Sequence, residues 1–188
     1  MSIKEELFGG GAIISATRSD EDFLRAIANE PKIIFDLYPD LMNVSAKVKK
    51  AHEAGKKYFL HMDLAKGVGK DESGMRFLHR IGVDGILSTK VSIIKLAKDS
   101  GICAVQRFFV VDSQSVHSSL EAVKTSKPDM IEIMPGTVCK VIERIAETAS
   151  MPIIAGGLVE TEEEARAALK AGALAVSTGN QELWTLDI

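Results

Sequence analysis

The chain has 188 residues, enough for one domain with a sizeable core and short for two. Apolar residues make up 46% and charged residues 26%, an ordinary globular balance that argues against disorder. The formal net charge of -3 gives no global field toward nucleic acid or an anionic membrane, so any RNA binding requires a local basic face.

The N-terminus, MSIKEELFGGG, has no apolar stretch of signal-peptide length. No window approaches the roughly 18 apolar residues of a membrane span, and a cytoplasmic protein is expected. Cys103 and Cys139 form no C-x-x-C pair and are expected to be buried, reduced thiols.

One pattern then recurs along the chain: an aliphatic run, a polar loop, an amphipathic helix, Gly or Pro, and the next run. The runs are Ala12–Ser15, Ile33–Leu37, Tyr58–His61, Gly85–Ser88, Cys103–Phe109, Met130–Ile133, Pro152–Ala155 and Leu174–Ser177. Each is nearly continuous in apolar residues, as a parallel strand covered on both faces should be. Phe23, Leu24, Ile27 and Ala28 form one helical stripe; Val138, Val141, Ile142 and Ile145 form another. Ser19 with Asp22 opens the first helix, and Thr161 before Glu162, Glu163 and Glu164 makes a capping box on the positive end of a helix dipole. Gly55, Gly82, Gly101 and Gly172 stand where a left-handed residue ends a helix, and Pro128 and Pro152 mark two further junctions.

Alternating strands and helices imply parallel pairing with right-handed crossovers. Eight units imply closure into a compact TIM-type (β/α)8 barrel, one α/β domain over residues 1–188. Eight units in 188 residues leave about 23 per unit, against roughly 30 for a typical βαβ element. The helices must therefore be minimal, or one unit lacks its helix; Asp112–Gln114 and Leu183–Ile188 are the weak spots. An open doubly wound sheet is the alternative, disfavoured because Gly9, Gly10 and Gly11 precede the first strand and no G-x-G-x-x-G follows it.

In a barrel, the C-terminal strand ends converge on one mouth. Here they read Thr17 and Arg18; Asp36; His61 and Asp63; Ser88, Thr89 and Lys90; Gln106 and Arg107; Glu132, Pro135 and Gly136; Gly156 and Gly157; and Ser177 to Asn180. Such a mixture suits a small, anionic, hydroxylated ligand. Ala155-Gly156-Gly157 after the seventh strand and Ser177-Thr178-Gly179-Asn180 after the eighth are the sharpest signal. Barrels often bind phosphate with these two loops, with glycines admitting the oxygens and a short helix, here Gln181–Trp184, directing its N-terminus at them. The long, glycine-rich segment from His61 to Gly74 has the composition of a mobile lid.

His61, Asp63 and Glu132 can be read as metal ligands or as an acid and base, and H-x-D on a strand puts both side chains on one face. No second histidine joins them, so no metal is expected. Lys90 suits a phosphate or carboxylate contact better than a Schiff base. Lys47, Lys49, Lys50, Lys56 and Lys57 make a basic run which, with Lys66, Lys70, Arg76 and Arg80, can face RNA. From pattern alone a solvated face is the simpler account, because aromatics are only 5% of the chain.

The segments His61-Met-Asp63-Leu64, Gly69, Asp71-Glu72-Ser73-Gly74, Phe77-Leu78, Gly82-Val-Asp84-Gly85-Ile86-Leu87-Ser88-Thr89-Lys90, Gln106-Arg107-Phe108-Phe109, Asp112-Ser113, Lys127-Pro128-Asp129, Glu132-Ile133, Pro135-Gly136 and Ile154-Ala155-Gly156-Gly157-Leu158 together resemble the glycerol-3-phosphate-responsive antiterminator family. The resemblance spans nearly the whole chain. It implies a bacterial regulator without catalytic activity that senses glycerol 3-phosphate, binds leader mRNA when liganded, and lets transcription pass a terminator. The family's mouth motifs fall on His61, Asp63, Lys90, Arg107, Glu132, Gly156, Gly157, Ser177 and Thr178. On this reading Gly156, Gly157, Ser177 and Thr178 hold the phosphate, and Arg107 or Lys90 adds charge. Asp36, His61 or Glu132 reads the hydroxyls. No cofactor is implied beyond the effector, and neither DNA nor a membrane is a partner; a homo-oligomer is left open. The alternative is an enzyme acting on a glycerophosphodiester or phosphosugar, with His61 and Glu132 as acid and base.

Overall fold

In a computed structural model, residues 12–186 and 188 are described. Gly9, Gly10 and Gly11, and the N-terminus read for a signal peptide, lie outside them. Eight parallel strands pair each with the next and the last with the first, closing a barrel. In chain order the elements are β1 (Ile13–Thr17), α1 (Asp20–Ala28), β2 (Ile33–Asp36), α2 (Val44–Glu53), β3 (Lys57–His61), α3 (Glu72–Arg80), β4 (Gly85–Ser88) and α4 (Val91–Asp99). They continue with β5 (Cys103–Phe109), α5 (Ser113–Ser126), β6 (Met130–Met134), α6 (Cys139–Ala146), β7 (Ile153–Gly156), α7 (Glu162–Lys170) and β8 (Ala175–Thr178). Short 3-10 segments follow β3 (Met62–Leu64) and β8 (Gln181–Thr185).

This is the expected TIM-type (β/α)8 fold, and its small size has a clear origin. Most helices are only eight to ten residues long, and β8 is followed by a 3-10 turn in place of an α-helix. The other weak spot is well formed: Asp112 caps α5, the longest helix, through a reciprocal box with Ser115. Ser19 and Thr161 also cap as expected, each accepting from a backbone N–H three residues on. The four helix-ending glycines all have positive φ.

Two hydrophobic layers hold the barrel, because strand residues alternate between its interior and the helix side. The interior contains Ile14, Ala16, Ile33, Phe35, Phe59, Leu87, Val105, Met130, Ile154 and Ala175. The outer layer joins strand residues such as Ile34, Leu60, Ile86 and Ile133 to Phe23, Val48, Leu78, Ile94, Ile142 and Ala168 of the helices. Phe59 lies opposite Gly85 across the β3–β4 ladder, and a Cβ at Gly85 would meet the Phe59 ring. That interior slot admits only glycine.

Some expectations need correcting. On α1 the buried residues are Phe23 and Ala26, while Leu24 is 55% exposed, so the stripe is rotated from the one read in the sequence. The thiols of Cys103 and Cys139 are free but half-buried. Burial and the nearby Asp129 carboxylate push the Cys103 thiol up to about 12. The segment after β3 is pinned rather than loose: Lys66 bridges to Asp40 of the β2–α2 loop, Val68 is buried, and Lys70 Nζ donates to the Asp63 carbonyl at 2.6 Å. No described helix is long and apolar enough to cross a membrane.

Candidate functional site

The side chains that fill the mouth follow from strand parity. Two residues beyond each interior member the chain reaches Arg18, His61, Arg107, Glu132, Gly156 and Ser177, on the same face of their strands. Arg107 Nε donates to Glu132 Oε2 at 2.5 Å, and this ion pair is buried across the β5–β6 ladder. Glu132 Oε1 is buried with no partner. Glu132 fills the space opposite β7, where a Cβ on Gly156 would collide with Oε1. The glycine at 156 is thus dictated by the carboxylate at 132.

A cavity of about 580 Å³ opens beside this pair. Arg18, Arg107 and Glu132 line it, together with the turns Gly157–Thr161 and Ser177–Asn180. Gly157 and Leu158 both have positive φ, 71° and 58°, which folds the β7 turn tightly over the cavity. The turns are stitched together: Thr178 Oγ1 donates to the Val159 carbonyl at 2.8 Å, and Asn180 Nδ2 donates to the Glu160 carbonyl at 2.8 Å. The Thr178 hydroxyl therefore shapes the wall, facing away from the barrel interior. Trp184 Nε1 donates to the Thr178 carbonyl from behind. The segment Gln181–Thr185 is a 3-10 turn whose Glu182 N–H is taken by Asn180 Oδ1, so it offers less of an open N-terminus than expected.

His61 faces the interior next to this pair, with both ring nitrogens buried and without partners. Burial and the Arg107 charge lower it to about 4, against the pull of Asp63, so it is neutral near pH 7. Asp63 does not share the His61 face, because β3 ends at His61 and Asp63 sits in the 3-10 turn. Its carboxylate accepts from Ser88 Oγ at 2.6 Å and from the Thr89 N–H and hydroxyl at 2.8 Å. Burial opposes that charge, but these hydrogen bonds hold the carboxyl below the usual range. Asp63 is a clasp between the β3 and β4 loops, with its Oδ2 3.8 Å from His61 Nε2. Among the described residues, no group of three His, Cys, Asp or Glu side chains is placed to hold a metal.

Asp36, Lys90 and most of the basic run lie elsewhere. Asp36 has the opposite parity to Phe35 and points to the helix side, where it accepts from Lys47 Nζ at 2.9 Å and Tyr58 OH at 2.6 Å. Lys90 is the exposed N-cap of α4 and does not line the cavity. Lys47 is buried between Asp36 and Asp20 and over the Phe23 ring. Burial opposes its charge, but the Asp20 and Asp36 contacts outweigh it and raise its pKa. Lys56 is buried too, donating to the Asn29 and Pro31 carbonyls, and burial with the Lys32 charge lowers its pKa. Lys57 pairs with Asp84 and Lys49 with Glu53, so of the basic run only Lys50 is exposed and unpaired among the described residues. The run does not form a free cationic face. Conversely, Arg18 lines the cavity; its signal was its place two residues past Ala16 at the end of β1.

Fold and site define a TIM-type barrel with a polar mouth closed on one side by glycine-bearing β7 and β8 turns. Residues 13–184 match the family model of the glycerol-3-phosphate responsive antiterminator. The chain belongs to that family. It is 42% identical over 175 residues to the uncharacterized protein YgcP of Escherichia coli, covering 93% of this chain and 92% of that one. It superimposes on the glycerol uptake operon antiterminator regulatory protein from Listeria monocytogenes with a TM-score of 0.87 and 33% identity, covering 92% and 94% of the two chains. It also superimposes on a glycerol uptake operon antiterminator-related protein from Thermotoga maritima with a TM-score of 0.83 and 36% identity, covering 95% and 99%. Family and relatives support a regulatory antiterminator role.

Proposed function

We propose that this chain is a sensor that binds glycerol 3-phosphate in its mouth and, when liganded, binds leader mRNA and prevents termination of transcription of glycerol-utilisation genes. The observation that carries the reading is the cavity itself. It brings the Gly157 and Gly179 turns, two guanidinium groups and one unpartnered carboxylate oxygen to a single space. The turns receive the phosphate, and Arg18 and Arg107 match its charge. Glu132 Oε1 accepts from a glycerol hydroxyl, which gives that buried oxygen the partner it lacks. Glu132 is already tied to Arg107, His61 is neutral, and no lysine lines the cavity. These facts support binding without turnover, with no cofactor besides the effector.

Thermal unfolding against glycerol 3-phosphate, glycerol, inorganic phosphate and several sugar phosphates tests this. A ligand that binds only the native state at about 100 times its dissociation constant adds roughly 2.7 kcal/mol. The expected result is a selective upward shift with glycerol 3-phosphate and no product formed. A shift with another phosphate accompanied by turnover would overturn the reading. Gly157→Asp is expected to abolish the shift while the protein still folds. Its φ of 71° suits Asp better than most residues, and its Cβ meets only the flexible tip of Met134, but it sets a carboxylate where phosphate would lie.

A further inference from the structure

Among the described residues, four of the eight large apolar side chains that are substantially exposed sit on two neighbouring loops at the barrel mouth. Tyr38, Leu41 and Met42 follow β2, and Leu64 follows β3; they are 50%, 39%, 90% and 43% exposed. The two loops are held together backbone to backbone. The Lys66 N–H donates to the Pro39 carbonyl at 2.9 Å, and the Leu41 N–H donates to the Lys66 carbonyl at 3.0 Å. Gly67 packs on the Leu41 side chain, and Asp40 Oδ1 accepts from the Met42 N–H at 2.9 Å. Met62 and Val68 anchor the β3 loop in the core. The patch is therefore preformed, and a partner meets it without first ordering a loop.

Size and charge define the partner that fits. With about 200 Å² for a large side chain, the four residues expose roughly 450 Å² of mostly apolar surface. A standard interface buries about 800 Å² per partner, a little over half of it apolar, so this one patch supplies the apolar area of a whole interface side. The loop residues 37–43 and 62–71 carry the carboxylates of Asp40, Asp63 and Asp71 and the ammonium groups of Lys66 and Lys70. Three acids against two bases make a field that favours neither a polyanion nor a strongly acidic or basic protein. The fitting partner is apolar at its centre and carries both signs around it. A second copy of this chain presents that surface, over the same area. Lys66 is exposed and pairs with no carboxylate of its own chain among the described residues, and a two-fold contact offers it the acids of the other copy.

We infer that this chain forms a two-fold dimer through its β2 and β3 loops, with Tyr38, Leu41, Met42 and Leu64 at the centre of the contact and Lys66 at its rim. The contact needs neither effector nor RNA. None of these five residues lines the cavity, so dimer formation and effector binding are separable by mutation.

Sedimentation velocity over a concentration series, without effector or RNA, tests this. The wild-type protein is expected to be a dimer in the micromolar range. Met42→Glu is expected to raise the dimer dissociation constant about a hundredfold, because the two-fold axis repeats the introduced charge on each copy. Its circular dichroism spectrum should be unchanged, since Met42 is almost fully exposed in one copy. Tyr38→Glu is expected to act in the same way. Leu24→Glu, on the exposed side of α1, is expected to leave the dimer intact. A wild-type protein that stays monomeric throughout the series would overturn the inference. So would a dimer that persists in both Met42→Glu and Tyr38→Glu, which would place the contact on another face. Equal dissociation of Leu24→Glu would show that added charge, and not this patch, breaks the dimer. A monomeric wild type whose RNA binding is lost in Met42→Glu would assign the patch to RNA instead.

Discussion

At the scale of single residues, the mouth is governed by parity, and parity decides which side chains were legible. The glycines at 156 and 157, Ser177, Arg107 and Glu132 could be found because their strands end in recognisable turns. Asp36 could not be placed, because Ile33 to Leu37 is apolar on both faces and one acid in such a run carries no mark of direction. His61 is the interior residue with the clearest titration consequence. Burial and Arg107 lower it from 6.5 to about 4, with Lys70 adding and Asp63 opposing. Between those values the unfolded chain takes up a proton that the folded chain does not, so stability falls as pH drops from 6.5 toward 4 and is unaffected above. One proton gives a slope of up to about 1.4 kcal/mol per pH unit. His61→Asn is expected to flatten that part of the stability profile in urea titrations, whatever its stability at pH 7. Acid loss below pH 4 should persist, because Asp63 is among the carboxyls held low. An unchanged slope between pH 6.5 and 4 would show that His61 is solvated.

At the scale of elements, the ion cluster between β2, β3, α1 and α2 shows what a charge pattern conceals. Lys47, Lys49 and Lys50 look alike in sequence, yet α2 turns Lys47 inward and leaves Lys49 and Lys50 outside. The spacing of Val44, Val48 and Ala51 places position 47 on the buried face, at i+3 of one helical stripe, but it does not say what a buried ammonium pairs with. Only the three-dimensional structure shows those partners, Asp20 and Asp36, because they come from other elements. Lys47→Met would leave the Asp36 carboxylate buried with only Tyr58 OH and the Tyr38 N–H as donors. Loss of one partner of a buried pair costs about 3–5 kcal/mol. Lys47→Met combined with Asp36→Asn should recover a large part of that cost, because it removes the unpaired charge. Equilibrium denaturation of the single and double variants measures both; equal stability of the single variant and wild type would mean that Asp36 takes up a proton or a water without cost.

For the molecule as a whole, the problem is to close a barrel with short helices and, among the described residues, with a 3-10 turn in place of an α-helix after β8. Closure depends on pairing β8 with β1, from Ile13 with Val176 to Ser15 with Thr178, and on the Ala12 N–H donating to the Ile188 carbonyl at 2.9 Å. The 3-10 turn after β8 substitutes for a helix by inserting one large side chain. Trp184 is fully buried, and its Nε1 donates to the Thr178 carbonyl at 2.9 Å. That carbonyl begins the turn that walls the cavity, so the same side chain seals the barrel and supports the site. The terminal segment looked like a weak spot in the sequence because a five-residue turn has no period to read; its contribution lies in the volume of one residue. Trp184→Ala should cost about 3–5 kcal/mol by cavity formation. Trp184 is the chain's one tryptophan, so unfolding is best followed by circular dichroism. Trp184→Phe keeps most of the packing and loses the donated hydrogen bond, so it should cost less in stability while still loosening the β8 turn. Under the sensor reading, both variants should show a smaller thermal shift with glycerol 3-phosphate than wild type. A destabilised Trp184→Ala protein with an undiminished shift would separate closure from binding, and would mean that the β8 turn is held by its stitches to Val159 and Glu160 alone.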